Sequence, residues 1–399
     1  MEGWIDCENC HNRFRAFIQF CPRCGNQNPH YGNNIRAPDR LKRRIGKKPV
    51  IIIVAVSVFV IVTCAGLLTL GGFSRNYHNN SSSNPNLDND LYVAKPKPRV
   101  LEQQRPKFAA DLVQYALTKI NEDRSKFNLP PVQLSHNEAA QIQAEEILKA
   151  RDISHWTTDG MKPYMTYSVY NGSGGISQNV AAESNYGSTI NPYRAIDAVE
   201  WDMMYNDSLC CKDLHRQDIL YKDHTHVSIG IAYDEDYFTI VQNFENKYIH
   251  FHGPFIQDND RHIQISGQLL SNSNSNKNLY GIDIYYDETP THQEYIKHKE
   301  DKSYQLGKLV GFVFSPLDFN EWFEYIREKV YSAMGISLSN YSPLPAHKWQ
   351  VDSKSLDIKF DISPVLKNEG VYTVVTYLED EQKNLFPVTS YSIFVKRVL

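Results

Sequence analysis

The stretch from Pro49 to Phe73, PVIIIVAVSVFVIVTCAGLLTLGGF, carries no charged side chain. A helix needs about 20 mainly apolar residues to cross the hydrocarbon layer of a bilayer, so the stretch predicts a transmembrane helix over 49–73. The alternative is a cleaved signal peptide, whose apolar region is usually about 7–15 residues and lies near the start. This run is longer and follows a folded-looking segment. Arg36, Arg40, Lys42, Arg43, Arg44, Lys47 and Lys48 precede it, while only Arg75 follows closely. Because Lys/Arg excess marks the cytoplasmic side, the expectation is a single-pass cell-membrane protein with its N-terminus in the cytoplasm and its C-terminal bulk outside. The basic segment 31–48 then holds topology and touches anionic lipid.

A formal charge of −4 over 399 residues argues against a globally basic nucleic-acid partner. That length suggests two or three domains at about 100–200 residues each. Seven cysteines are too few for a disulfide-stapled scaffold. Four of them fall in two pairs, Cys7-Glu-Asn-Cys10 and Cys21-Pro-Arg-Cys24. Two tight turns at this spacing aim four thiolates at one tetrahedral Zn²⁺, so residues 1–30 are expected to form a zinc ribbon with Cys7, Cys10, Cys21 and Cys24 as ligands. Four protein ligands leave no open coordination position. The zinc is therefore structural, and the ribbon offers itself to a cytoplasmic protein partner.

Residues 74–105, with NNSSSNPNLDND and KPKPR, read as an extracellular linker. From 106 to 246 the chain becomes globular. Phe108, Leu112, Tyr115, Ala116 and Ile120 form a helical stripe that ends at Asn128-Leu129-Pro130-Pro131. Ser135 and Glu138 suggest a capping box at the start of a second helix. Val227, Ile229, Ile231 and Tyr233 alternate with Ser228, Gly230 and Ala232, giving a strand with one bulky and one small face, and Asp234-Glu235-Asp236 turns into the next strand. Helices followed by an antiparallel hairpin indicate an α+β fold. Five Asn-x-Ser sequons, at Asn79, Asn80, Asn171, Asn206 and Asn340, all follow the apolar span, in keeping with export.

The ordered segments INEDRSKFNLPPVQLS, ISHWTTDGMKPYM, SQNVAAE, WDMMYND, LHRQDIL, VSIGIAY and FTIVQNFEN resemble the CAP superfamily, also called the SCP domain, and most closely its bacterial and archaeal branch. The resemblance covers about residues 106 to 246 and implies an α-β-α sandwich with a cleft that gathers two histidines and acidic residues. Carried over by motif, His155 and His215 are the two histidines and Asp207 takes the second acidic place. The usual Gly-Glu-Asn stands here as Ser177-Gln178-Asn179. An amide is no general base and a weak metal ligand, which weakens a catalytic reading. Two readings of His155, Gln178, Asp207 and His215 follow. The favoured one is a hydrogen-bonded, ligand-binding cleft; the other is a second metal site with an activated water, making a metal-assisted extracellular hydrolase.

No GxSxG, HExxH or phosphate-loop pattern is present. His224/His226 and His250/His252 are weak metal candidates without an evident carboxylate partner. Cys210 and Cys211 are adjacent. A bridge between neighbours is strained, which favours two shielded thiols over a redox switch.

Residues 247–399 read as a β-sandwich of immunoglobulin-like, all-β pattern, with alternation at Ile263/Ile265, Tyr280/Ile282/Ile284/Tyr286 and Leu356/Ile358/Phe360/Ile362. A helix is expected to interpose at Asp318 to Met334, and GVYTVVTYLEDEQKNLFPVTSYSIFV forms the final hairpin. The expectation for the whole chain is a membrane-anchored surface binding module with an unknown extracellular ligand or protein partner. A receptor coupled through the membrane to the ribbon is a further alternative, which the lack of a GxxxG motif in the span does not favour.

Overall fold

The computed structural model describes residues 4–6, 13–15, 91–94, 96, 98, 109–184, 189–253, 255–257, 261–270, 278–315, 342–382 and 384–397. The chain divides into two compact units, Met1–Leu87 and Asp88–Leu399. In the first, β1 (Trp4–Asp6) and β2 (Arg13–Arg15) pair antiparallel, with Asp6 opposite Arg13. The four ribbon cysteines, the apolar span 49–73 and the helix expected at Asp318 to Met334 lie outside the described residues. Among the described residues no helix is long and apolar enough to cross a membrane.

The second unit opens with β3 (Leu91–Ala94) and continues through α1 (Ala109–Lys126), β4 (Gln133–Leu134), α2 (Ala139–Ala150), α3 (Pro163–Val169) and β5 (Gly175–Ser184). Then come α4 (Pro192–Tyr205), α5 (Asp207–Cys211), α6 (Leu214–Ile219), β6 (His226–Tyr233) and β7 (Tyr237–Asn246). These strands form a sheet in the order β4-β6-β7-β5, antiparallel except for β4 and β6. The α1 stripe ends where Asn128 turns left-handed at φ 57°. Its Leu112, Ala116 and Ile120 share a core with Ile196, Val199 and Met203 of α4 and with Val227, Ile229 and Ile231, the bulky face of β6. On the other face, α2 lays Ala140, Ala144 and Ile147 against Val180, Ala232 and Val241. The small face of β6 is small for this reason: a Cβ at Gly230 would collide with the Ala140 carbonyl oxygen. Helices on both faces give the α-β-α layering.

The expected capping box is corrected. Asn137 Oδ1 accepts from the Ala139 N–H at 3.0 Å, and Ser135 Oγ accepts from Lys247 Nζ at 2.6 Å. The α2 helix starts later because β4 first draws Gln133 and Leu134 into the sheet.

The remaining elements are β8 (Ile249–Phe251), β9 (Ile256–Gln257), β10 (His262–Leu269), β11 (Asn278–Asp287), α7 (His292–His298), β12 (Lys308–Phe314) and β13 (Ser342–Pro345). They are followed by β14 (Lys348–Val351), β15 (Ser355–Asp361), β16 (Gly370–Glu379), β17 (Leu385–Pro387) and β18 (Tyr391–Arg397). Two sheets result, β14-β15-β10-β8 with β9 on β10, and β13-β12-β11-β16-β18-β3 with β17 on β16. Ile263, Ile265, Ile358 and Phe360 of the first share one core with Ile282, Ile284, Val374, Ile393 and Val395 of the second, so the two sheets form a sandwich. The final hairpin is present as β16 and β18, with Val371 opposite Phe394.

Three sequence expectations change here. The stretch read as linker contributes β3, whose Val93 lies opposite Val395 and whose Leu91 and Val93 enter the sandwich core. The CAP-like region is therefore inserted between two strands of the sandwich instead of preceding it. The second domain is also not all-β, since α7 breaks out between β11 and β12.

The inserted region is fastened to the sandwich through α3. Lys162 Nζ is 2.8 Å from Asp287, the Tyr164 hydroxyl donates to the same carboxylate at 2.7 Å, and Ser168 Oγ donates to Ser390 O at 3.0 Å while accepting from Ser392 N at 2.9 Å. Asp287 closes β11, so these bonds position the segment 288–307 that follows it.

Candidate functional site

Strand β5 is the free edge of its sheet, and the expected site residues collect along it. His155, from the loop after α2, places Nδ1 3.0 Å from Gln178 Oε1, and the Gln178 amide donates to Asn243 Oδ1 at 3.0 Å. A carbonyl oxygen only accepts, so Nδ1 carries the proton. His155 is 5% exposed. Burial, reinforced by the charge of nearby His215, pulls its pKa down to about 4, leaving the ring neutral at pH 7.

The opposite wall is built on Asp207, the first residue of α5. Its Oδ1 lies 2.7 Å from His215 Nδ1, while Oδ2 accepts the backbone N–H groups of His215 at 2.9 Å and Arg216 at 3.3 Å. This carboxylate orients the imidazole on α6. Cys210 Sγ lies 3.6 Å from Asp207 Oδ1. Cys210 and Cys211 are joined by a disulfide, which corrects the expectation of two shielded thiols. Both side chains line the same cavity, and this shared direction brings neighbouring sulfurs within bonding reach.

Between the walls lies a cavity of about 290 Å³. It is lined by Ile153, Ser154 and His155, by Val180, Ala181 and Ala182 of β5, by Val199, Asp202, Met203 and Asn206, and by Asp207, Cys210, Cys211 and His215. Asp301 and Lys302 complete it from the sandwich. Three of the four expected binding residues therefore face one space. Gln178 stands behind His155 and only braces it.

Sequence reasoning missed the roof. The Tyr304 ring packs 5.2 Å from that of His155, its hydroxyl accepts from the Gln178 backbone, and His298 stacks on Trp156 at 5.2 Å. Tyr304 thereby covers an open sheet edge. No local motif announces residues that arrive from another domain. Asp218 was missed as well, although its spacing from His215 in LHRQDIL puts both on one helix face. Burial pushes its carboxyl up to about 7, against a hydrogen bond from Ser177 and the charge of His215.

The His-x-His candidates do not converge on a ligand. His224 is buried between Ser177 Oγ at 3.2 Å and Asn246 Oδ1 at 2.7 Å, and burial pulls its pKa down to about 3. His226 turns to Thr225 Oγ1, and His250 and His252 are exposed. Among the described residues, the one cluster of metal-type donors is Asp207, Cys210, Cys211 and His215, with one atom of each within 4.8 Å of the others. His155 is not part of it.

Residues 117–244 match the CAP family, described as the cysteine-rich secretory protein family. No curated protein matches the chain. Among solved structures it is similar to an extracellular protein containing a SCP domain from Bacillus anthracis str. Ames, at 18% identity and TM-score 0.29, over 37% of this chain and 45% of that one. It is also similar to the CAP domain of Enterococcal PrgA, at 16% identity and TM-score 0.25, over 40% of this chain and 67% of that one. The chain thus spans less than half the length of the Bacillus protein.

Proposed function

We propose, from the CAP match over 117–244 together with the charge-free span 49–73 and its basic flank, that the chain is a single-pass, membrane-anchored surface protein whose exterior cleft binds a ligand or a protein partner without catalysing a reaction. The observation that carries this reading is the pairing of neutral, buried His155 with an amide. Gln178 has no proton affinity with which to activate a nucleophile, so the pair braces a wall. The metal-assisted hydrolase built on His155 and His215 is disfavoured because His155 lies outside the donor cluster.

The lining suggests the ligand's character. Ile153, Val180, Val199 and Met203 offer an apolar wall, while Asp202, Asp207 and Asp301 outnumber Lys302. At about 290 Å³ the space is near the lower end of ligand pockets, which run to about 300–1,000 Å³. It suits a small molecule or one side chain of a partner, apolar along its body and cationic or hydrogen-bond-donating at its end. On the cytoplasmic side, the proposed ribbon holds structural Zn²⁺ on Cys7, Cys10, Cys21 and Cys24 and docks a cytoplasmic protein. The antiparallel pairing of β1 with β2, strands that flank Cys7 and Cys10 in the sequence, supports that reading.

Thermal unfolding of the purified full chain with n-hexylamine or n-hexanoate tests the cleft. The amine near ten times its Kd is expected to raise Tm by about 2–4 °C, with no rise from the carboxylate and none in Ala182→Phe, which fills the cavity. Equal responses to both compounds, or an unchanged amine response in Ala182→Phe, contradict the reading. Ester hydrolysis that disappears in His215→Ala would overturn its non-catalytic part.

A further inference from the structure

We infer that Cys210 and Cys211 are a redox gate over a transition-metal site completed by Asp207 and His215. The inference goes beyond the proposed binding of an organic ligand or partner, in the same cleft, whose wall Asp207, Cys210, Cys211 and His215 form. Two sulfurs, a carboxylate oxygen and an imidazole nitrogen lie within 4.8 Å of one another, on two short helices at the cavity wall. Thiolate and imidazole donors in this number suit a borderline-soft ion of tetrahedral preference, Zn²⁺ among the abundant ones. The carboxylate is already held in place by two backbone N–H groups and already turned to the imidazole.

In the disulfide the sulfurs are bonded to each other and neither is a thiolate, so the oxidised cluster lacks two of its four ligands. A low-molecular-weight thiol is the reductant. Two RSH and the protein disulfide give one RSSR and two cysteine thiols, with two electrons and two protons passing to the protein. Metal entry then displaces the two thiol protons and forms two metal–sulfur bonds. Cys210 is exposed, so a reductant reaches it through the cavity mouth, while Cys211 and Asp207 are buried beneath. The dithiol and the metal site are two states of one place in the fold. Reduction admits the ion, and the reverse exchange, in which the dithiol passes two electrons and two protons to RSSR to give two RSH, expels it.

The test uses the full chain and Co²⁺ as the probe metal, before and after treatment with a dithiol reductant that is then removed under nitrogen. Cys210→Ser/Cys211→Ser serves as the reference, because it retains the N-terminal cysteines and subtracts their cobalt. Reduced wild type is expected to bind one Co²⁺ more than the reduced reference, with thiolate-to-cobalt charge-transfer absorption, and oxidised wild type none more. Asp207→Asn, which keeps size and hydrogen bonding, is expected to weaken the extra Co²⁺ about 10-fold or more. Two additional titratable thiols on reduction accompany the gain. Equal uptake by reduced wild type and the reference, uptake of the extra ion by the oxidised chain, or no change in thiol count overturns the proposal. The single variant Cys211→Ser removes the bond with little change of volume, and its retention of the extra ion also counts against the proposal.

Discussion

Buried His155 and half-buried Asp218 titrate in opposite senses. The His155 ring titrates near 4 when folded and near 6.5 when unfolded. Between these values protons bind the unfolded chain first, so the stability due to neutral His155 is complete above about pH 6.5 and lost as pH falls towards 4. Asp218 titrates near 7 when folded against 3.8 when unfolded. Its contribution is complete below the lower value and lost as pH rises towards 7. In urea unfolding, His155→Gln is therefore expected to gain on wild type between pH 7 and 4.5, and Asp218→Asn between pH 4.5 and 7, each by at most about 1.4 kcal/mol per pH unit. A gap that stays constant with pH for either variant contradicts its burial as the cause. His155, Asp207 and His215 were legible in the sequence because each lies in a motif of one contiguous domain. Asp301, Lys302 and Tyr304 were not, because the side of the cleft they cover is set by how a sandwich excursion returns.

Among the described residues the strongly periodic elements were read correctly, while the short β3 and the start of α2 were not. The alternation of β6 follows from packing a bulky face on α1 and α4 while α2 approaches the other, at Gly230 and Ala232. In contrast, β3 offers only Leu91 and Val93 within a polar, proline-broken run, and its partner is the last strand of the chain. Strand pairing at that separation leaves no local signature. The α2 start was misplaced because Asn137 Oδ1, and not Ser135 Oγ, accepts the N–H of the first helical residue, Ala139, while Glu138 takes the cap position without a side-chain bond. The status of β3 is measurable: Leu91→Ala is expected to lower the unfolding free energy of the second unit by about 2–5 kcal/mol, as for buried leucines in general. A flexible linker would show no loss in guanidinium unfolding, and that result contradicts the pairing.

For the whole molecule, insertion changes what the sandwich does. The CAP-like region enters after β3 and leaves into β8, so both of its ends are held by the sandwich that also roofs its cleft. The sandwich thereby shapes the site as well as spacing it. The proposal that this site faces the environment rests on the charge-free span 49–73 and the basic residues before it. Trypsin added to intact cells that carry an epitope at the N-terminus measures this directly. Release of the 88–399 body with the epitope protected is the expected result; loss of the epitope while that body stays whole contradicts the account.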